Sequence, residues 1–214
     1  MSKIAELVER LCPNGVEYKK LEEIKTAIYR GSGIKRDEIT ETGIPCVRYG
    51  EIYTTYGIWF EECVSHTLLD YVKSPKYFEH GDILFAITGE SIDDIAKSTA
   101  YMGYEKCLAG GDTVVLKHNQ NPKYLSYVLA TTDARKQKSA GKVKSKVVHA
   151  SVPSIEAISI PVPPMEVQDE IVKIMDEYTE KKKKLIEDLE IEITEREKQY
   201  EFYLDMIMDF RKEV

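Results

Sequence analysis

A chain of 214 residues, 43% hydrophobic and 31% charged, is long enough for one domain of ordinary size plus an appendage. No apolar run approaches the ~20 residues that cross a bilayer, and Cys12, Cys46, Cys63 and Cys107 are scattered without CxxC or Cys/His spacing, which argues against a membrane protein, a disulfide scaffold and a structural zinc site. The net charge of −7 is concentrated at one end: residues 166–214 hold nine Lys/Arg against sixteen Asp/Glu, whereas residues 25–150 hold seventeen against fifteen, so the globular part is free to carry a basic face.

Met1–Leu11 carries charge throughout and reads as a short amphipathic helix rather than a secretory signal, which together with the free cysteines predicts a reduced, cytoplasmic protein. Pro13-Asn14-Gly15 marks a turn. Val16–Tyr18 alternates as a short strand, and Lys20–Ile24 as a helical turn.

Residues 26–60 read as strands and turns. Tyr29-Arg30-Gly31-Ser32-Gly33 is a basic loop, and Ile44–Tyr49 a strand. The following run is aromatic, with Tyr49, Tyr53, Tyr56 and Trp59. Alternating aromatics pack a sheet face more often than they touch a ligand. A tyrosine hydroxyl at a loop edge can nevertheless reach a phosphate.

A second β-rich block covers residues 75–118. Phe78–Phe85 gives a turn and then a strand, Thr88–Ser91 a polar loop, and Cys107–Asp112 a tight turn into the strand Thr113–Leu116. Pro122–Lys138 reads as one helix, starting at Asn121-Pro122. Short, Gly-punctuated strands with some helix predict an α+β class, with a twisted, mostly antiparallel sheet.

The most basic stretch follows. Arg135, Lys136, Lys138, Lys142, Lys144 and Lys146 fall within twelve residues that contain no acid, with Ser139, Gly141 and Ser145 between them. A charge run is usually a solvated face. This one lies in an acidic protein, and its Ser and Gly residues suit close backbone approach to phosphates, so nucleic acid is the favoured contact.

Pro161, Pro163 and Pro164 form an extended connector, and no Pro or Gly follows. Ile171, Met175, Tyr178, Leu185, Leu189, Ile193, Tyr200, Tyr203, Ile207 and Phe210 are mostly three, four or seven apart, an apolar seam on one helix. At 1.5 Å per residue that helix would be roughly 65–75 Å long, more than one small domain can cover, and it should seek another helix. Lys182 and Arg196 interrupt the seam, and the steps Leu185–Leu189–Ile193 resemble a stutter.

Few residues suggest catalysis. Asn121-Pro122-Lys123-Tyr124 superficially resembles the tetrapeptide of adenine methyltransferases, but Lys replaces the second Pro and no cofactor-binding Gly loop accompanies it. Gly89-Glu90-Ser91 lacks the Gly-Lys-Ser/Thr ending of a phosphate-binding loop. His66, His80, His118 and His149 have no metal-ligand spacing, and no metal or cofactor is expected on this chain.

Five stretches together resemble the specificity (S) subunit of type I restriction–modification systems. They are Cys12–Leu21, Gly43–Tyr53, Gly81–Leu84, Gly110–Asp112 and Ile160–Ile171; the last carries Pro-Pro-x-x-x-Gln-x-x-Ile before a long helix and is the most specific. The resemblance implies an N-terminal helical segment (1–14), a mixed or antiparallel β-rich target recognition domain (15–163) that reads double-stranded DNA, and a long spacer helix (164–214) that forms an antiparallel helical pair. With one recognition domain and one spacer the chain is similar to a half-length S subunit, which implies a homodimer reading an interrupted palindrome. It further implies docking to methyltransferase subunits that carry S-adenosylmethionine, with restriction subunits able to join. The chain would supply the address and no chemistry.

The expected DNA contacts are Lys35, Arg36, Arg48, Tyr49, the loop Thr88, Gly89, Glu90 and Ser91, and Lys142, Lys144, Ser145 and Lys146. Arg48 and the Thr88–Ser91 loop are the base readers, because Arg pairs with guanine and Glu accepts from cytosine. The lysines suit phosphates. The competing reading is a protein–protein adaptor with a solvated basic run and a docking helix. A stand-alone nuclease lacks its motifs.

Overall fold

The computed structural model describes residues 3–89, 91–92, 95–140 and 148–210. The chain divides into two compact units, residues 1–172 and 173–214. Chain order in the first unit begins with helix α1 (Lys3–Leu11), strand β1 (Tyr18–Lys20), helix α2 (Leu21–Ile24) and strand β2 (Lys25–Arg30). Strands β3 (Ile39–Thr40) and β4 (Ile44–Val47) lead into helix α3 (Tyr49–Thr54). Seven strands follow: β5 (Trp59–Phe60), β6 (Ser65–Thr67), β7 (Tyr77–Phe78), β8 (Ile83–Ala86), β9 (Thr88–Gly89), β10 (Ser98–Tyr101) and β11 (Cys107–Ala109). Strand β12 (Thr113–His118) precedes helices α4 (Pro122–Leu129) and α5 (Thr132–Ser139). Strand β13 (Val148–His149), helix α6 (Val152–Glu156), strand β14 (Ser159–Pro161) and helix α7 (Met165–Met208) complete the described chain.

Two five-stranded sheets carry the first unit, with strand orders β2-β12-β8-β10-β5 and β3-β6-β4-β11-β7. Most pairs are antiparallel, but β10–β5 and β11–β4 are parallel, so both sheets are mixed, as expected for the α+β class. The central strands of the first sheet are buried on both faces, which explains their apolar runs (ILFA in β8, TVVL in β12). Side chains alternate across the sheet. Ile83, Phe85, Val114 and Leu116 face the core formed with α2, α4 and α6. Leu84, Ala86 and Val115 face the second sheet, against Val47, Ile52, Phe78 and Tyr101.

Local readings of the sequence shift where a tertiary partner decides. The first strand lies at Tyr18–Lys20 rather than Val16–Tyr18, because its register is set by β14, with Tyr18 opposite Pro161 and Lys20 opposite Ser159. The helix expected over Pro122–Lys138 is two helices. Thr131 Oγ1 accepts the N–H of Ala134 at 3.3 Å and donates to the carbonyl of Val128 at 2.7 Å, so it caps a new start. The aromatic run is split: Tyr49 and Tyr53 lie on the helix Tyr49–Thr54, Tyr56 follows it into the core, and Trp59 alone is on a strand, β5.

Within the first unit, the opening turns of α7 are anchored. Val167, Gln168 and Val172 are buried, and Ile171 packs against the main core. Arg10 of α1 pairs with Glu166 at 2.7 Å, and Lys3 with Glu170. The second unit is helical from Lys173 to Met208. Met175, Tyr178, Leu185, Leu189, Ile193, Tyr200, Tyr203 and Ile207 are all exposed on it, for example Leu185 at 58% and Tyr200 at 67%. No helix among the described residues is long and apolar enough to cross a membrane.

Candidate nucleic-acid interface

The site is built where β4 runs into α3. Arg48 follows the strand with extended backbone (φ −96°, ψ 150°) and caps the helix. Three residues on, Glu51 reaches back, its carboxylate accepting the Arg48 backbone N–H at 3.0 Å. The same carboxylate accepts Arg48 Nε at 3.0 Å, pairs with Nη2 at 2.9 Å, and accepts Ser65 Oγ at 2.6 Å. Glu51 is buried, and the Arg48 side chain is 33% exposed. Two of the guanidinium's three nitrogens are thus held by a fixed acceptor, and the remaining edge is aimed by them.

Arg48 borders a cleft of about 540 Å³ shared with Arg36, Tyr49, Thr54 and four glycines, Gly33, Gly50, Gly110 and Gly111. Gly110, and Gly31 beneath it, are needed where backbones meet, whereas Gly33 and Gly50 face open space. A Cβ on Gly110 would lie 2.8 Å from the Val47 carbonyl oxygen, and one on Gly31 would lie 2.1 Å from that of Gly110. Arg30 pairs with Asp112 at 2.7 Å on the same rim. This explains the Gly110-Gly111-Asp112 triplet: two residues without side chains where loops touch, and a carboxylate that fixes a neighbouring arginine.

Of the expected contacts, Arg36, Arg48 and Tyr49 come together in this cleft. Lys35 does not line it; its ammonium lies 3.4 Å from Glu38 and is otherwise exposed. Thr88 and Gly89 are strand rather than loop, paired with Val148 and His149 in β13. Thr88 Oγ1 lies 3.1 Å from His149 Nδ1. Ser91 is half-buried. Glu90, Lys142, Lys144, Ser145 and Lys146 lie outside the described residues.

Helix α3 joins the two groups. Tyr49 opens onto the cleft, and one turn later Tyr53 reaches Gly89, where a Cβ would lie 2.7 Å from its hydroxyl. Glu51, Tyr53 and His149 were missing from the expected contact set. The Arg48-x-x-Glu51 spacing is a capping signature that sequence could have yielded; the approach of His149 to Thr88 is long-range and left no local trace. Burial and the nearby Glu51 carboxylate push the Cys46 thiol up to about 12, so it is an inert core group. Among the described residues no group of three or more His, Cys, Asp or Glu side chains could hold a metal ion.

Residues 13–195 match the family profile described as the type I restriction modification DNA specificity domain. The specificity subunit of the type I restriction enzyme EcoR124I/EcoR124II of Escherichia coli is 27% identical over 153 residues, covering 71% of this chain and 36% of that protein. The chain therefore spans about a third of the length of this curated relative. Two solved structures share the fold. The S subunit of the type I restriction–modification system from M. genitalium is 14% identical, with a TM-score of 0.54 over 92% of this chain and 48% of its own. The HsdS subunit from Thermoanaerobacter tengcongensis is 15% identical, with a TM-score of 0.57 over 83% and 42%. A structure concerned with complex assembly and conformational transition of the type I R-M system is similar to the same degree, with a TM-score of 0.57 at 16% identity over 83% of this chain and 43% of that one. With its profile match running through most of its length, the chain belongs to the type I restriction–modification DNA specificity domain family.

Proposed function

We propose that this chain reads DNA sequence for a type I restriction–modification complex in the cytoplasm and leaves catalysis to its partners. The observation that carries the reading is the cleft in which Arg36, Tyr49 and a braced Arg48 converge among glycines. A guanidinium held by Glu51 is pre-aimed, so little side-chain freedom is lost when it meets the acceptor edge of a guanine. The glycines let a DNA backbone approach closely, and Arg36 and Lys35 suit its phosphates. Thr88, Gly89 and Ser91, at the far end of α3, form a second reading edge with His149, whose Nδ1 lies 3.1 Å from Thr88 Oγ1.

The exposed apolar stripe from Met175 to Ile207 supports the rest of the proposal. Such a stripe is stable in water when another helix covers it. A second copy running antiparallel would satisfy it with two-fold symmetry, placing identical readers on an interrupted palindrome whose gap the helices set. Methyltransferase subunits docked on these helices would bring S-adenosylmethionine and flip the target base; restriction subunits would join that core.

Selection from a random duplex library, with the chain and its methyltransferase subunit together, tests the reading. The expected result is one enriched split sequence, lost in Arg48→Ala. Retention without sequence enrichment, unchanged in that variant, would contradict it.

A further inference from the structure

A second cavity, of about 470 Å³, opens between α3, β10 and the helices α4 and α5. Lys97, Arg135 and Lys138 line it, and among the described residues it has no carboxylate. Lys138 is buried at 6% exposure, one turn after the equally buried Ala134. Its ammonium donates to Ser98 Oγ at 3.1 Å and to the Leu129 carbonyl at 2.9 Å, both neutral acceptors. Lysine is seldom buried without a counter-charge. Here burial, and then the charge of Arg135, lower its pKa to about 7. The contact with Leu129 also caps the last carbonyls of α4, which explains where Lys138 points. It does not explain two further cations on the same wall. Lys97 is half-buried, carried there past a left-handed turn at Ala96 (φ +57°), and donates to the Tyr53 carbonyl at 3.0 Å, with no carboxylate partner among the described residues. Arg135 is exposed and has no ion pair among the described residues. Lys97 and Arg135, joined by Lys138 whenever it is protonated, repel one another until an anion neutralises them.

We propose that this cavity is a phosphate-binding pocket whose occupant is a backbone phosphate of the bound DNA. The lining fits a phosphate ester: cations for the phosphate, together with Ile58, Ile95 and Leu129, on which the apolar face of a sugar can lie. The identity of the occupant rests on the DNA reading given above; the phosphate chemistry does not. Tyr53 connects the two sites, lining this cavity while it touches Gly89 beside the proposed reading edge.

Two measurements on the full chain separate these claims. Melting in phosphate against chloride at matched ionic strength reads the pocket alone. Phosphate should raise the melting temperature of the parent by several degrees, and Lys138→Met and Arg135→Gln should lose that shift. Salt titration of DNA affinity reads the occupant. Each variant should bind about tenfold more weakly, whatever the sequence, with a log–log salt slope smaller by about one. Arg135 is exposed, so its variant remains informative if Lys138→Met fails to fold. A phosphate shift lost in the variants beside an unchanged DNA slope would overturn the DNA occupant and assign the pocket to a free phosphate ester. No phosphate shift and no change in slope would overturn the pocket. A parent that binds no DNA yet keeps a variant-sensitive phosphate shift would overturn the DNA reading and leave the pocket standing.

Discussion

The side-chain oxygen of Gln168 accepts the backbone N–H of Asn121 at 3.0 Å, across forty-seven residues of sequence. Its amide nitrogen donates to Gln120 Oε1 and to the Pro163 carbonyl, both at 2.8 Å. Asn121 in turn caps α4, its Oδ1 accepting the N–H of Tyr124 at 3.1 Å, while its Nδ2 donates to Asp169 at 2.8 Å. One buried amide thus joins the start of α7 to the cap of α4. Gln168→Leu would leave the Asn121 N–H and the Pro163 carbonyl without partners, and should cost about 2–3 kcal/mol in denaturant unfolding. Loss under 0.5 kcal/mol would show that water replaces the amide freely.

Glu51 should matter twice. Glu51→Ala strips a buried acceptor from Arg48 and Ser65, and is expected to destabilise by about 2–3 kcal/mol. Glu51→Gln keeps an acceptor and should fold, but should release the Arg48 guanidinium. If Arg48 reads a guanine, Arg48→Ala loses about 1–3 kcal/mol at one base pair of the target and little on unrelated DNA. Equal losses on both DNAs would make Arg48 a phosphate contact.

Burial holds the His118 imidazole down to about 4, and the Gln120 N–H donates to its Nδ1 at 3.1 Å. The unfolded chain takes up a proton near pH 6.5, the folded chain only near 4. Stability from this group is therefore complete above about pH 6.5 and is lost as pH falls toward 4. His118→Gln should flatten the stability profile over that interval when subtracted from the parent. An unchanged difference curve would show that His118 titrates normally.

On the helix, Leu189→Asp with Ile193→Asp places charge in the middle of the exposed stripe. If the proposed dimer forms through this stripe, sedimentation should shift toward monomer, with the globular unit still folded by near-ultraviolet dichroism. A dimer that survives the double change would move the interface off this seam.

Much of this was legible because it is local. The Asn121-Pro122 helix start, the β8 and β12 strands and the long helix follow from capping chemistry and periodicity. The Pro-Pro-x-x-x-Gln motif was legible as a pattern, but the role of Gln168 depends on Asn121, which no local rule supplies. The aromatic run misled because Tyr49 and Tyr53 suit a sheet by residue type and a helix by spacing, and spacing decided. Lys138 counted as one more cation in a basic run, yet α5 buries it while Arg135, one turn earlier, stays exposed. Composition sets the charge of a segment; only packing sets which cations face solvent.

The most direct measurement is a methylation map. The chain is expressed in a methylation-free host with the methyltransferase subunit proposed to partner it, and the genome is sequenced by a modification-sensitive method. The expected result is one new methyladenine motif, split and palindromic, that disappears or changes at one position in Arg48→Ala. No new motif, with both proteins soluble and bound to each other, would contradict it.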